Sequence, residues 1–222
     1  MKNILYIGPS WAFRSYDTVE GSESNYTNLL QELNLDAVNL SRCGWSNMQC
    51  LDCINRYKSS FDAILWVYCE PILDVLHENK KELIESPNFW DLRNNINADT
   101  LDMINRINCP VGLIGGHSDI VDCDNYNNIT VIHPSWQKFL TSQVGIDLEH
   151  GWGAEVAHRY AMYEFKNSRP NKDMINKTAD TLRVWTQLEL LGVWRGVHPN
   201  KKGNQLFAKE IANNVQSFVS NL

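Results

Sequence analysis

Five short apolar runs punctuate the chain: NILYIG at 3–8, DAVNL at 36–40, DAILWVYC at 62–69, PVGLIG at 110–115 and ITVIH at 129–133. Most lack the polar alternation of a strand with one wet face, so they suit strands buried on both sides. A sheet buried on both faces is covered by helices, and the segments between the runs are long enough to provide crossovers between parallel strands. The pattern predicts an α/β fold, a three-layer α/β/α sandwich around a five-stranded parallel sheet.

The spacing between the runs supports this. Tyr26, Leu29, Leu30 and Leu33 fall at i, i+3, i+4 and i+7, which makes one apolar helix face, with Ser22 or Ser24 available as a cap. A second helix is expected after Ser46, using Met48, Leu51, Ile54 and Tyr57, and others near 72–84 and 98–107. After the last strand the chain turns helical near 178–192, with Trp185, Leu188 and Leu191 facing inward. It does so again near 203–219, through Leu206, Phe207, Ile211, Val215 and Phe218. With 222 residues, 43% of them hydrophobic, and no repeat or linker, the whole of 1–222 reads as one domain. The polar stretch 166–177 reads as a surface excursion.

Charge narrows the function classes. A formal charge of −6, with no basic run longer than the NKK pieces at 79–81 and 200–202, provides no field for gathering phosphates, so nucleic acid is not expected as a partner. No apolar stretch reaches the roughly 18 residues of a membrane span, and MKNILYIG is short for a signal peptide, so a cytoplasmic location is expected. The six cysteines then read as reduced thiols, and the CxxC of Cys50 and Cys53 as part of a helix rather than a zinc or redox motif.

No metal or cofactor is expected either. Asp147, Glu149, His150, Glu155 and His158 cluster in sequence, but the two histidines lie eight apart, interrupted by Gly151 and Gly153, and miss the i, i+4 spacing of a helical metal pair. Gly115-Gly116 lacks the Lys-Ser/Thr of a P-loop and the spaced glycines of a dinucleotide site.

In an open parallel sheet, ligands gather outside the carboxyl ends of the strands. After the first run comes Gly8-Pro9-Ser10-Trp11, after the second Arg42-Cys43-Gly44-Trp45-Ser46, after the third Cys69-Glu70-Pro71, and after the fourth Gly115-Gly116-His117-Ser118-Asp119. Late in the chain, WRGVHPNKKGNQLFAKEI sets His198 and Pro199 just before the terminal helix.

From Ser10 to about Ala208 this combination resembles the SGNH or GDSL hydrolases, anchored on IGPSW and HPNKKGNQLFA. The resemblance implies a flavodoxin-like sheet in the order 2-1-3-4-5, Ser10 as nucleophile, the backbone N–H groups of Ser10 and Gly44 facing the oxyanion, and His198 as base. The chain departs from that family at three places. Its Gly-Asp-Ser is Gly-Pro-Ser, the third-strand Gly-x-Asn-Asp is Tyr68-Cys69-Glu70-Pro71, and the acid three residues before the histidine is Arg195. Glu70, which that strand order brings next to Ser10, is the leading substitute for the acid, ahead of Asp119 and Asp17.

Trp11, Trp45, His117 and Arg195 are candidates for substrate binding: the rings as stacking surfaces, Arg195 as a partner for an anionic group or for Glu70. Trp194 is a weaker candidate of the same kind. The expectation is a serine-dependent ester hydrolase acting on acyl or acetyl esters of a carbohydrate or small molecule. Two others compete with it: an inactive binding or structural module on the same fold, and a flavodoxin-like domain that binds an anion near Gly115 to Asp119.

Overall fold

The computed structural model describes residues 2–13, 28–57, 60–71, 88–116, 119–120, 123–143, 145, 188, 191, 194–195 and 198–222. All five apolar runs form strands: β1 (Ile4–Ile7), β2 (Val38–Asn39), β3 (Ala63–Tyr68), β4 (Val111–Gly115) and β5 (Ile129–His133). They pair in the order β2-β1-β3-β4-β5, all parallel, as the resemblance implies. The register of β1 on β3 runs from Ile4↔Ala63 to Ile7↔Trp66.

Side chains alternate across this sheet and build a core on each face. Ile4, Tyr6, Ala63, Leu65, Val67, Ile114 and Ile132 point to one side. There they meet α2 (Leu29–Glu32), α5 (Trp136–Ser142) and α6 (Lys201–Ser220). Leu5, Ile7, Ile64, Trp66, Tyr68, Val111, Leu113 and Ile129 point to the other, against α3 (Asn47–Tyr57) and α4 (Phe89–Asn105). A four-residue helix, α1 (Ser10–Phe13), follows β1, and a two-stranded antiparallel pair, β6 (Trp194–Arg195) and β7 (His198–Pro199), precedes α6. This is the expected three-layer α/β/α arrangement.

The helices differ from expectation in detail. In α2, Asn28 is the cap: its side chain accepts from the Gln31 N–H while the Gln31 side chain accepts from the Asn28 N–H. Ser22 and Ser24 lie outside the described residues. In α3, Leu51 and Ile54 are buried with Cys50, whereas Met48 and Tyr57 are 40% and 49% exposed. The inward stripe therefore runs through Cys50, one of the CxxC thiols, and none of the six cysteines forms a disulfide. Helix α4 begins nine residues before the predicted 98, and the expected helix at 72–84 lies outside the described residues. Near 178–192, Leu188 is buried and Leu191 is 37% exposed, while Trp185 lies outside. In α6 the predicted Phe207, Ile211, Val215 and Phe218 are buried. Among the described residues, no helix is long and apolar enough to cross a membrane.

Candidate active site

The site starts from a close approach of two strands. A Cβ on Gly8 would lie 2.8 Å from the Val67 carbonyl oxygen, the Val67 Cβ and the Ala12 Cβ, so only glycine lets β1 leave the sheet and turn into α1 here. The Ala12 N–H donates to the Pro9 carbonyl at 3.0 Å, and Ser10 becomes the first helical residue, half-buried at the carboxyl edge of the sheet. As a first helical residue it has a backbone N–H with no acceptor inside the helix.

The partner arrives from the far end of the chain. His198 lies on β7, its backbone paired with Arg195, and the next elements fix it: Pro199 is buried and Asn200 caps α6 by accepting the Gly203 N–H at 3.0 Å. This brings His198 Nε2 to 2.7 Å from Ser10 Oγ, across 188 residues of sequence. With the neutral ring's proton on Nδ1, the serine hydroxyl donates to Nε2, which is the contact that a general base needs.

The loop after β2 is drawn in beside them. The Leu40 N–H donates to the Tyr6 carbonyl at 3.0 Å and the Arg42 N–H to the Gly8 carbonyl at 3.1 Å, so the chain continues to track β1 past its last strand residue. Gly44 then turns with φ of +78°, a left-handed conformation that favours glycine. Trp45 is half-buried against the α3 side of the core, and the Arg42 guanidinium lies over its ring, 5.4 Å from the centroid.

Other candidates fall differently. Where the sequence suggests Glu70 as the acid behind His198, the structure engages it with Arg93 of α4. Arg93 Nε donates to Glu70 Oε1 at 2.9 Å and Nη2 to Oε2 at 3.4 Å, and both side chains are buried, at 7% and 1% exposure. A buried carboxylate needs such a partner, and Arg93 of α4 is one. Asp119 takes the Lys138 ammonium at 3.2 Å. Trp11 is corrected from a lining residue to a core residue: it is 2% exposed, edge-on to Trp136 with ring centroids 5.5 Å apart.

In the anion-site candidate at 115–119, the backbone of Gly116 is bonded within the protein. The Gly116 N–H donates to the Tyr68 carbonyl at 3.1 Å, and the Gly116 carbonyl accepts from the Gln137 N–H at 3.0 Å. His117, Asp17 and the 147–158 cluster lie outside the described residues, and Arg195 is described only through its backbone pairing with His198. Among the described residues, no group of three or more His, Cys, Asp or Glu side chains could hold a metal ion.

Two polar residues that sequence reasoning passed over shape this edge of the sheet. Arg93 sits inside an α4 stretch whose polar surroundings read as solvated. Asn47, the first residue of α3, is fully buried, and its amide bonds both backbone groups of Cys69. A signal for Asn47 existed in Ser46-x-x-Gln49, whose side chains cap the helix reciprocally and so mark its start.

No family model matches the chain, and no curated protein sequence does. Among solved structures, the Bacillus subtilis protein YxiM is similar over 98% of this chain and 57% of its own, with 14% identity and a TM-score of 0.44. This chain thus spans little more than half of YxiM. A lipase from a goat rumen metagenome, Lip_vut3, is similar over 98% of this chain and 97% of its own, with 12% identity and a TM-score of 0.44.

Proposed function

We propose that the chain is a serine-dependent hydrolase of ester bonds, of the SGNH type that its sequence resembles, working through a Ser10–His198 dyad. The observation that carries the proposal is the 2.7 Å contact between Ser10 Oγ and His198 Nε2 at the carboxyl edge of a parallel sheet. A buried turn serine has no need of an imidazole brought from 188 residues away.

In this reading Ser10 Oγ attacks the ester carbonyl as its proton passes to His198 Nε2, and the imidazolium returns that proton to the departing alcohol. The Ser10 and Gly44 N–H groups stabilise the oxyanion. Water, deprotonated by the same ring, then releases the acyl group. Glu70 is charge-balanced by Arg93. Turnover of activated acyl or acetyl esters is expected. Trp45, with Arg42 over its ring, is an aromatic surface on the Gly44 loop for the alcohol or acyl part of a small-molecule or carbohydrate ester.

The test is hydrolysis of p-nitrophenyl acetate. Wild type should turn over, His198→Ala should lose about a hundredfold or more, and Ser10→Ala should lose the acyl-enzyme burst. Equal rates for wild type and Ser10→Ala would defeat the proposal.

A further inference from the structure

We infer that Asn47 is a positioning residue for this site, fixing the loop that carries Gly44 against the strand end beside Ser10. The inference rests on the hydrolase reading above. Asn47 Nδ2 donates to the Cys69 carbonyl at 2.9 Å, and the Cys69 N–H donates to Asn47 Oδ1 at 2.9 Å. One carboxamide thus bonds both backbone groups of Cys69, in the manner of a strand neighbour.

Cys69 is the right place for such a tether. The β1–β3 register that pairs Ile4 with Ala63 and Ile7 with Trp66 holds as far as Gly8, whose Cβ position meets Val67, so Cys69 lies just beyond the point at which β1 turns toward Ser10. The loop after β2 is therefore held at both ends. At its start the Arg42 N–H is bound to Gly8, and at its end Asn47 is bound to Cys69.

Gly44 lies between these two anchors, in a turn closed by the Trp45 N–H on the Arg42 carbonyl at 3.4 Å. Ser46, whose side chain caps α3 from the residue before Asn47, makes the second anchor stiff. Without Asn47, the loop that carries Gly44 would lose its anchor to Cys69 and keep the Arg42 bond to Gly8 at its other end. Asparagine suits the task because it carries a donor and an acceptor in one plane on a short stem; alanine has neither, and aspartate cannot donate.

The experiment compares the full chain with Asn47→Ala, Asn47→Asp and Tyr68→Phe, by amide hydrogen exchange and by p-nitrophenyl acetate kinetics. Tyr68→Phe removes the buried hydrogen bond that Tyr68, the residue before Cys69, donates to Asn97 of α4. In Asn47→Ala, exchange should rise across 42–46 and at Cys69, and kcat should fall about tenfold to a hundredfold with KM within about twofold, since a small misplacement of a catalytic group costs that much.

The pH midpoint of the rate should stay in place, because His198 is not touched. Asn47→Asp should show the same pattern and stands in if the alanine variant does not fold. Tyr68→Phe should stay within about twofold of wild type in kcat. Unchanged exchange at 42–46 in the Asn47 variants, or an equal loss in Tyr68→Phe, would overturn the inference. If wild type itself does not turn over, the hydrolase reading fails and the catalytic role of Asn47 fails with it; exchange at 42–46 still decides the tether separately.

Discussion

Glu70 and Arg93 form an ion pair inside the protein, with Nε on one carboxylate oxygen at 2.9 Å and exposures of 1% and 7%. Removing one partner takes this compensation from a buried charge, and breaking a buried pair in that way costs about 3–5 kcal/mol, whereas replacing both with apolar side chains of similar volume costs little. Arg93→Met should therefore lower the urea midpoint strongly, and Glu70→Leu combined with Arg93→Met should recover most of the loss. A double variant as unstable as the single one would show that the pair contributes through something other than mutual charge compensation.

Gly8 sets the exit of β1 toward Ser10. A methyl group there would overlap the Val67 backbone oxygen at 2.8 Å, and backbone does not give way as a flexible side chain would. Gly8→Ala should cost about 1–3 kcal/mol and displace Ser10 from His198. Denaturant unfolding and esterase rate should fall together. A variant of normal stability and activity would mean that the strand crossing is looser than its geometry.

His133 makes stability depend on pH. Burial holds its pKa below the ordinary histidine value, overcoming the pull of Glu210 and Asp119. The Ser135 N–H donates to His133 Nδ1 at 3.1 Å, a bond open only to the neutral ring, and Phe139 and Phe207 pack edge-on to it. The unfolded chain therefore binds more protons than the folded one. The His133 contribution is complete above the unfolded pKa, near 6.5, and is lost as pH falls from there through the lowered folded value. Unfolding free energy measured from pH 7.5 to 5 should drop, and His133→Gln should flatten that slope.

Asn200 links the terminal helix to the site. Its side chain caps α6 two residues after His198, and such a cap is worth about 1 kcal/mol. Asn200→Ala should lose that much stability and lower esterase activity further than the stability loss explains, which activity measured far below the melting temperature would reveal.

The sheet was legible because its strands are local apolar runs, and every one of them pairs where the pattern expected. Capping was legible where it lies inside a few residues, and was missed where a helix is short. Ser135 and the spacing of Trp136 and Leu140 mark α5, but over seven residues their periodicity does not stand out. Ser10 and His198, which the structure brings into contact, stand out in the sequence because one follows and the other precedes a regular element in a recognisable order. The pairing of Glu70 with Arg93 was not legible, since Arg93 reaches it through the packing of α4 on the sheet, and nothing in the local sequence distinguishes that arginine from a solvated one. Trp11 looked like a lining ring because it follows the serine; α1 turns it into the core against Trp136.

The most direct measurement of the Ser10–His198 contact as a catalytic dyad is covalent labelling of the wild-type chain by a fluorophosphonate, with the adduct located by peptide mass spectrometry. The expected result is a single adduct on Ser10, formed more slowly in His198→Ala and absent in Ser10→Ala. No adduct, or equal labelling of Ser10→Ala, would contradict the assignment of Ser10 as the nucleophile.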